Sequence, residues 1–232
     1  MTTRDEPRAA AAATERRTMT RVARRLPAPK QSRSELSTAK LLDAAAELIA
    51  HGGYERMTLA GIGERAGYSH GLVTARFGSK EGLLWALMER MVVDWQDNVL
   101  NPALGRETGI TAVKTIYKQL AAAWRHHPAR MRAFYTLMFE ALLPVKVLND
   151  RVIDLHREFR AGIAELVQRG IVDGQIDDRV DVERVTRLLV GALRGAVYQS
   201  MLDPDEIAIG DAIADLELLV DALLPPPRAR PH

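Results

Sequence analysis

The chain has 232 residues, with 32 Lys+Arg against 30 Asp+Glu, no cysteine and 47% apolar residues. That length supplies a real hydrophobic core in one large domain or two modest ones. The lack of cysteine excludes disulfides, thiolate zinc sites, iron–sulfur clusters and thiol nucleophiles, and fits a reducing cytoplasm.

No apolar run approaches the ~20 residues that cross a bilayer. The charged N-terminus lacks the apolar core of a signal peptide, so the expected location is cytoplasmic, with no membrane partner. The net charge of +2 conceals an asymmetry. Residues 1–35 hold nine basic side chains and four acids, a net +5, which leaves −3 for the other 197 residues. Positive charge gathered in one terminal arm points to a polyanionic partner; a solvated tail without function is the plainer alternative. Pro7, Pro27 and Pro29 and the absence of apolar periodicity predict a disordered arm over 1–35.

From Leu36 the pattern turns helical. Leu42, Ala45, Ala46 and Ile49 mark one helix face, and Gly52-Gly53 marks its stop. Thr58 can cap a short helix carrying Leu59, Ile62 and Ala66 that ends at Gly67. Ser69 can cap a second, with Val73 and Phe77 inward, that ends at Gly78. Ser79 opens a longer helix with Leu83, Leu84, Leu87, Met88 and Met91, which Asn101-Pro102 is expected to close. Further helices are expected at 108–126, 128–142, 148–172, 181–202 and 204–224. Asp203-Pro204-Asp205-Glu206 reads as the start of the last, and three prolines end it. No segment alternates like a strand. The expected class is all-α, with about nine helices.

Two short helices joined by a tight turn at Gly67 fit a helix-turn-helix. With Val73 and Phe77 inward, the second helix would show Tyr68, Ser69, His70, Gly71, Leu72, Thr74 and Arg76 on its free face. A helix of that size is about 10 Å long, comparable to the ~12 Å major groove of DNA.

The stretch LLDAAAELIAHGGYERMTLAGIGERAGYSH followed by GLVTARFGSKEGLL resembles the DNA-binding domain of the TetR (tetracycline-repressor-like) family of bacterial regulators. The Gly-Tyr after the first helix, Thr58, the I-x-x-x-A-G of 62–67 and Phe77-Gly78-Ser79-Lys80-Glu81 carry the match, which covers about a quarter of the chain. The resemblance implies a sequence-specific homodimer, usually a repressor, released from a palindromic operator on double-stranded DNA by a small-molecule effector. It implies a helix-turn-helix domain over 36–91 (motif about 58–77), a ligand-binding and dimerisation domain over 92–224 and a disordered tail over 225–232. Carried over by position, Thr58 and Lys80 touch phosphates, while Ser69, His70, Gly71 and Leu72 face base edges. Family members often have Tyr where this chain has Thr74, and a small polar residue where it has Leu72. Leu72 cannot donate a hydrogen bond but can press on a thymine methyl. Thr58 and Ser69 also read as simple helix caps, His70 as merely exposed, and Arg76 as a partner for an acid of its own domain. Double alanine substitution at Arg76 and Lys80 is expected to weaken DNA binding without unfolding the protein. Residues 36–90 are charge-neutral, with six basic and six acidic residues, so the arm is a candidate source of phosphate attraction.

In the second half, helix 181–202 is apolar on two sides, and two C-terminal helices per subunit could form a four-helix seam. Leu188, Gly191, Gly195, Tyr198, Leu202, Ile213, Leu216 and Val220 are the candidate dimer residues; intramolecular core is the alternative. Met91, Trp95, Tyr117, Trp124, Tyr135, Met138, Phe139 and Phe159 are the candidate lining of an apolar ligand cavity. Gly61, Gly63 and Gly67 lack the spacing and the preceding strand of a dinucleotide loop. His126-His127, adjacent at a helix boundary, make a poor metal pair, and no Ser/His/Asp grouping emerges. No enzyme activity, cofactor or metal is expected. Two alternatives stay open: a helical small-molecule carrier or enzyme with a vestigial DNA module, and a regulator that activates or needs no ligand.

Overall fold

The computed structural model describes residues 32–143 and 146–228, without the side chains of residues 32, 33, 146 and 147. Most of the basic arm and the last four residues therefore lie outside the described residues. The chain divides into two compact units, Met1–Ser37 and Thr38–His232. Within the first, the Ser37 hydroxyl donates to the Ser34 carbonyl at 2.9 Å.

The regular structure described is helical throughout: α1 (Ser32–Arg56), α2 (Leu59–Ala66), α3 (His70–Phe77), α4 (Lys80–Trp95), a π-helical turn (Gln96–Leu100), α5 (Asn101–Leu104), α6 (Gly109–His126), α7 (Pro128–Glu140), α8 (Lys146–Val172), α9 (Val182–Leu202), α10 (Ile209–Ala214) and α11 (Leu216–Leu223). Local chemistry sets many of these ends. Thr58, Ser69 and Ser79 each turn a hydroxyl onto a main-chain N–H three residues on, of Gly61, Leu72 and Gly82, at 3.1, 3.3 and 3.1 Å. Each bond satisfies a donor that the first helical turn leaves without a partner. Gly53, at φ 73° and ψ 177°, breaks the helical path of α1, and one further turn follows it to Arg56.

Two expected boundaries are corrected. Asn101-Pro102 does not end the fourth helix. The Asn101 N–H reaches back five residues to the Gln96 carbonyl, and Pro102 falls in the first turn of α5, where a missing donor is tolerated. The rod stops only at Gly105, with φ 53°. Nor does the last helix start at Asp203. The Ile207 N–H closes one isolated turn onto the Asp203 carbonyl at 3.0 Å, and the Ser200 hydroxyl takes the Ile207 carbonyl at 2.7 Å. Helix resumes at Ile209 and breaks again at Asp215, so the expected 204–224 helix is two short ones.

The buried side chains form two cores. The first joins Leu41, Ala45 and Ile49 of α1, Ile62, Val73, and Leu83, Leu84 and Leu87 of α4. It continues without a break into Leu137 and Met138 of α7 and Leu148, Val152 and Leu155 of α8. The second gathers Val113, Ile116 and Tyr117 of α6, Leu189, Leu193 and Val197 of α9, and Ile213, Leu216 and Val220. Those last three were candidate dimer residues. They are spent inside the subunit, at 1%, 7% and 0% exposure, because α10 and α11 turn their apolar face onto α6 and α9. On α9 the other candidates lie outward: Leu188, Tyr198 and Leu202 are 48%, 52% and 70% exposed, Gly191 is exposed and Gly195 half-buried.

Candidate functional site

The short helices α2 and α3 pack closely because Gly63 has no side chain. A Cβ there would lie 2.8 Å from the Tyr68 carbonyl oxygen and 3.3 Å from Val73 Cγ2. Val73 is buried, and Phe77 and Tyr68 pack against the first core. Tyr68, expected on the free face, is half-buried, with part of its side chain packed on the first core. The outward run is Ser69, His70 and Gly71, all exposed, with Leu72 and Thr74 half-exposed. His70 Nε2 and Thr74 Oγ1 sit 3.4 Å apart, one helical turn from each other.

Two residues expected on DNA are engaged inside the fold. Arg76 donates through Nη1 to the Thr38 hydroxyl of α1 at 2.7 Å. Lys80 donates to the Glu55 carbonyl at 3.1 Å, and its ammonium lies 4.2 Å from the centre of the Tyr54 ring. Both tie the helix-turn-helix to α1, so removing them loosens the scaffold as well as any phosphate contact. Thr58 is exposed while capping α2, so its two readings are compatible.

Farther along the chain, a cavity of about 600 Å³ opens between α4, the π-helical turn, α6, α7, α8 and α9. Met91, Trp95, Tyr135, Met138 and Phe159 line it, as expected from their apolar character. Tyr117, Trp124 and Phe139 do not. The Tyr117 hydroxyl donates to the Leu189 carbonyl at 3.1 Å, bolting α6 to α9, and burial raises its pKa. Trp124 stacks on Tyr135 with centroids 5.7 Å apart, and Phe139 meets Tyr198 edge-on at 5.6 Å.

Polar side chains that were not expected there line it too, among them Gln119, Asn98, His126, His127, Arg130 and Arg194. Arg194 had a legible signal, being the lone charge in the apolar run 188–202. Its guanidinium carbon lies 5.2 Å from the centre of the Tyr135 ring and 5.3 Å from that of Phe159. Burial raises the Tyr135 pKa, and the charge of Arg194 opposes that rise. Arg130 approaches Asp94 at 3.4 Å and Asp43 at 3.8 Å, linking α7 to α4 and α1. At the far end of α7, the Glu140 carboxylate holds the N–H of Tyr54. Among the described residues no group of three or more His, Asp or Glu could hold a metal ion.

The family model described as "Bacterial regulatory proteins, tetR family" matches residues 41–87, and that described as "BetI-type transcriptional repressor, C-terminal" matches 111–225. The chain belongs to the TetR family. It is a DNA-binding transcriptional repressor with a helical ligand-binding C-terminal domain. The "Fatty acid metabolism regulator protein" of Bacillus subtilis is 22% identical over 191 residues, covering 79% of this chain and 94% of that protein. "HTH-type transcriptional regulator BetI" of Paraburkholderia phytofirmans is 41% identical over 69 residues, 29% of this chain and 35% of BetI. A solved regulator from Saccharomonospora viridis, in complex with choline, superposes with a TM-score of 0.69 at 17% identity, covering 82% of this chain and 98% of that one. That likeness concerns the fold alone. Among the described residues no helix is long and apolar enough to cross a membrane.

Proposed function

We propose that the protein acts as a homodimer on a palindromic operator, with α3 of each subunit in the major groove, and leaves it when an amphipathic small molecule fills the cavity. The outward run Ser69–Leu72 carries the DNA half of this reading. It occupies the N-terminal end of a helix whose opposite face is anchored by the buried Val73. Ser69, His70, Gly71 and Leu72 meet base edges, Thr74 flanks them, and Thr58 meets a phosphate through the start of α2. Leu188, Gly191, Gly195, Tyr198 and Leu202 recur at three- and four-residue intervals along α9, a stripe that a second copy would cover. A two-fold pair of recognition helices reads half-sites one helical turn apart, about 34–36 Å.

Selection of fragments bound from genomic DNA tests this reading. The expected product is a palindrome with half-sites spaced by whole helical turns, bound in a salt-sensitive manner. Recovery of unrelated fragments with no shared two-fold sequence would overturn it.

A further inference from the structure

One charged group on the cavity wall is not neutralised by its surroundings. The Nε of Arg194 is buried and has no hydrogen-bond partner among the described residues, while its guanidinium lies beside the Tyr135 and Phe159 rings. The acids of the cavity do not answer it. Asp94 is taken by Arg90 at 3.3 Å and Arg130 at 3.4 Å. Glu158 is exposed and forms no ion pair with Arg194 among the described residues. His156 registers the same surplus of positive charge: burial first, then the charges of Arg194 and Arg160, hold its pKa below the ordinary value. The half-buried Arg194 side chain makes one hydrogen bond to the Tyr135 side chain, which leaves its Nε without an acceptor and its charge without a counter-ion among the described residues.

We propose that the cavity takes an amphipathic anion, a carboxylate on an apolar body, whose head group accepts hydrogen bonds from Arg194. The body lies along Met91, Trp95, Phe134 and Met138, which line the same cavity. This assignment rests on the cavity being the effector site and names the chemistry it selects. An aromatic cavity also invites a quaternary ammonium. Here the rings of Tyr135 and Phe159 already carry the Arg194 cation. A second cation in the same low-dielectric space is repelled. The volume, about 600 Å³, is that of a single-ligand site.

The test uses three ligands with one tail and different heads: dodecanoate, dodecan-1-ol and dodecyltrimethylammonium, each below its micellar concentration. Binding to the full chain is measured by calorimetry, for the parent and for Arg194→Met and Arg194→Lys. The parent is expected to bind dodecanoate about tenfold or more tightly than the alcohol, and the ammonium weakest. Arg194→Met is expected to erase the preference for dodecanoate while still binding the alcohol, which reports an intact cavity; Arg194→Lys keeps part of it. An ammonium that binds the parent as tightly as dodecanoate overturns the assignment, and so does an Arg194→Met that keeps the preference. The effector reading fails separately. Dodecanoate that binds through Arg194 without releasing operator DNA overturns that reading and leaves the ligand class intact. Release by the ammonium alone overturns the ligand class and leaves the reading intact.

Discussion

Glu140, at the last turn of α7, accepts a hydrogen bond at 2.9 Å from the main-chain N–H of Tyr54, just past the break in α1 at Gly53. The carboxylate sits so close that a Cβ on Gly53 would fall 2.2 Å from Glu140 Oε1. The same α7 presents Met131, Phe134, Tyr135 and Met138 to the cavity. One rigid helix thus touches the ligand space with one face and the DNA-binding helices with its end.

Glu140→Ala is expected to cost about 1–3 kcal/mol, the usual range for stranding a buried N–H. That lowers the melting temperature by several degrees in a chain of this size. Glu140→Gln, which keeps an acceptor, should cost less. Both should blunt the release of DNA by ligand more than they weaken DNA binding without ligand. Thermal unfolding and operator band shifts, with and without ligand, measure the two effects.

The outward and inward residues of the helix-turn-helix should separate in the same assays. His70→Ala and Leu72→Ala remove side chains that face away from the core, so operator affinity should fall by about five- to hundredfold, as for lost base contacts. Melting should scarcely move. Lys80→Ala removes the bond to the Glu55 carbonyl and the contact with the Tyr54 ring, so affinity and melting temperature should fall together. A Lys80 variant that lost only affinity would show the internal contacts to be dispensable.

On α9 the outward stripe predicts the assembly. Leu202→Asp with Tyr198→Asp should place two charges on a face that a second copy would bury, and yield a folded monomer. Light scattering should report half the parent mass, with helical content unchanged. The same change at Val220, which is wholly buried against the second core, should unfold the subunit.

Asp177 predicts an acid-sensitive element. Arg179 donates to its carboxylate from both side chain and main chain, at 2.9 and 3.0 Å from Nε and N, and these bonds hold the Asp177 pKa well below the usual carboxylate range. A lowered folded-state value means the stabilisation is complete above the unfolded pKa near 4 and disappears as pH falls through the folded value. Asp177→Asn should be less stable than the parent near neutrality. The gap should begin to narrow as pH falls below about 4 and close only as pH passes the folded value, as acid titrations of folding followed by circular dichroism would show.

What the sequence made legible was local. Thr58, Ser69 and Ser79 advertise helix starts through side chains that act within three residues, and each caps where expected. The apolar spacing around Val73 gave the inward face of α3. Longer-range partners were not legible. Asp203-Pro204 carries a start signal, yet Ser200 seizes the Ile207 carbonyl and delays the helix. Tyr117, Trp124 and Phe139 look like Tyr135 in composition, but only packing decides which aromatic faces a cavity and which a neighbouring helix. Arg76 and Lys80 read as DNA contacts, and nothing in their local spacing announces that Thr38 and Glu55 stand beside them. Arg194, the lone charge of its apolar run, does not fit the pattern of an apolar lining, and only packing sets it beside two rings.

The first core draws on α7 and α8 as well as on the helices that precede them. A graft of residues 36–91 onto another regulator would therefore arrive with raw edges where Leu137, Leu148 and Val152 had been. The DNA-reading head of this protein is not a detachable cassette; chimaeras must carry α7 and α8 along, or reinvent their inner surfaces.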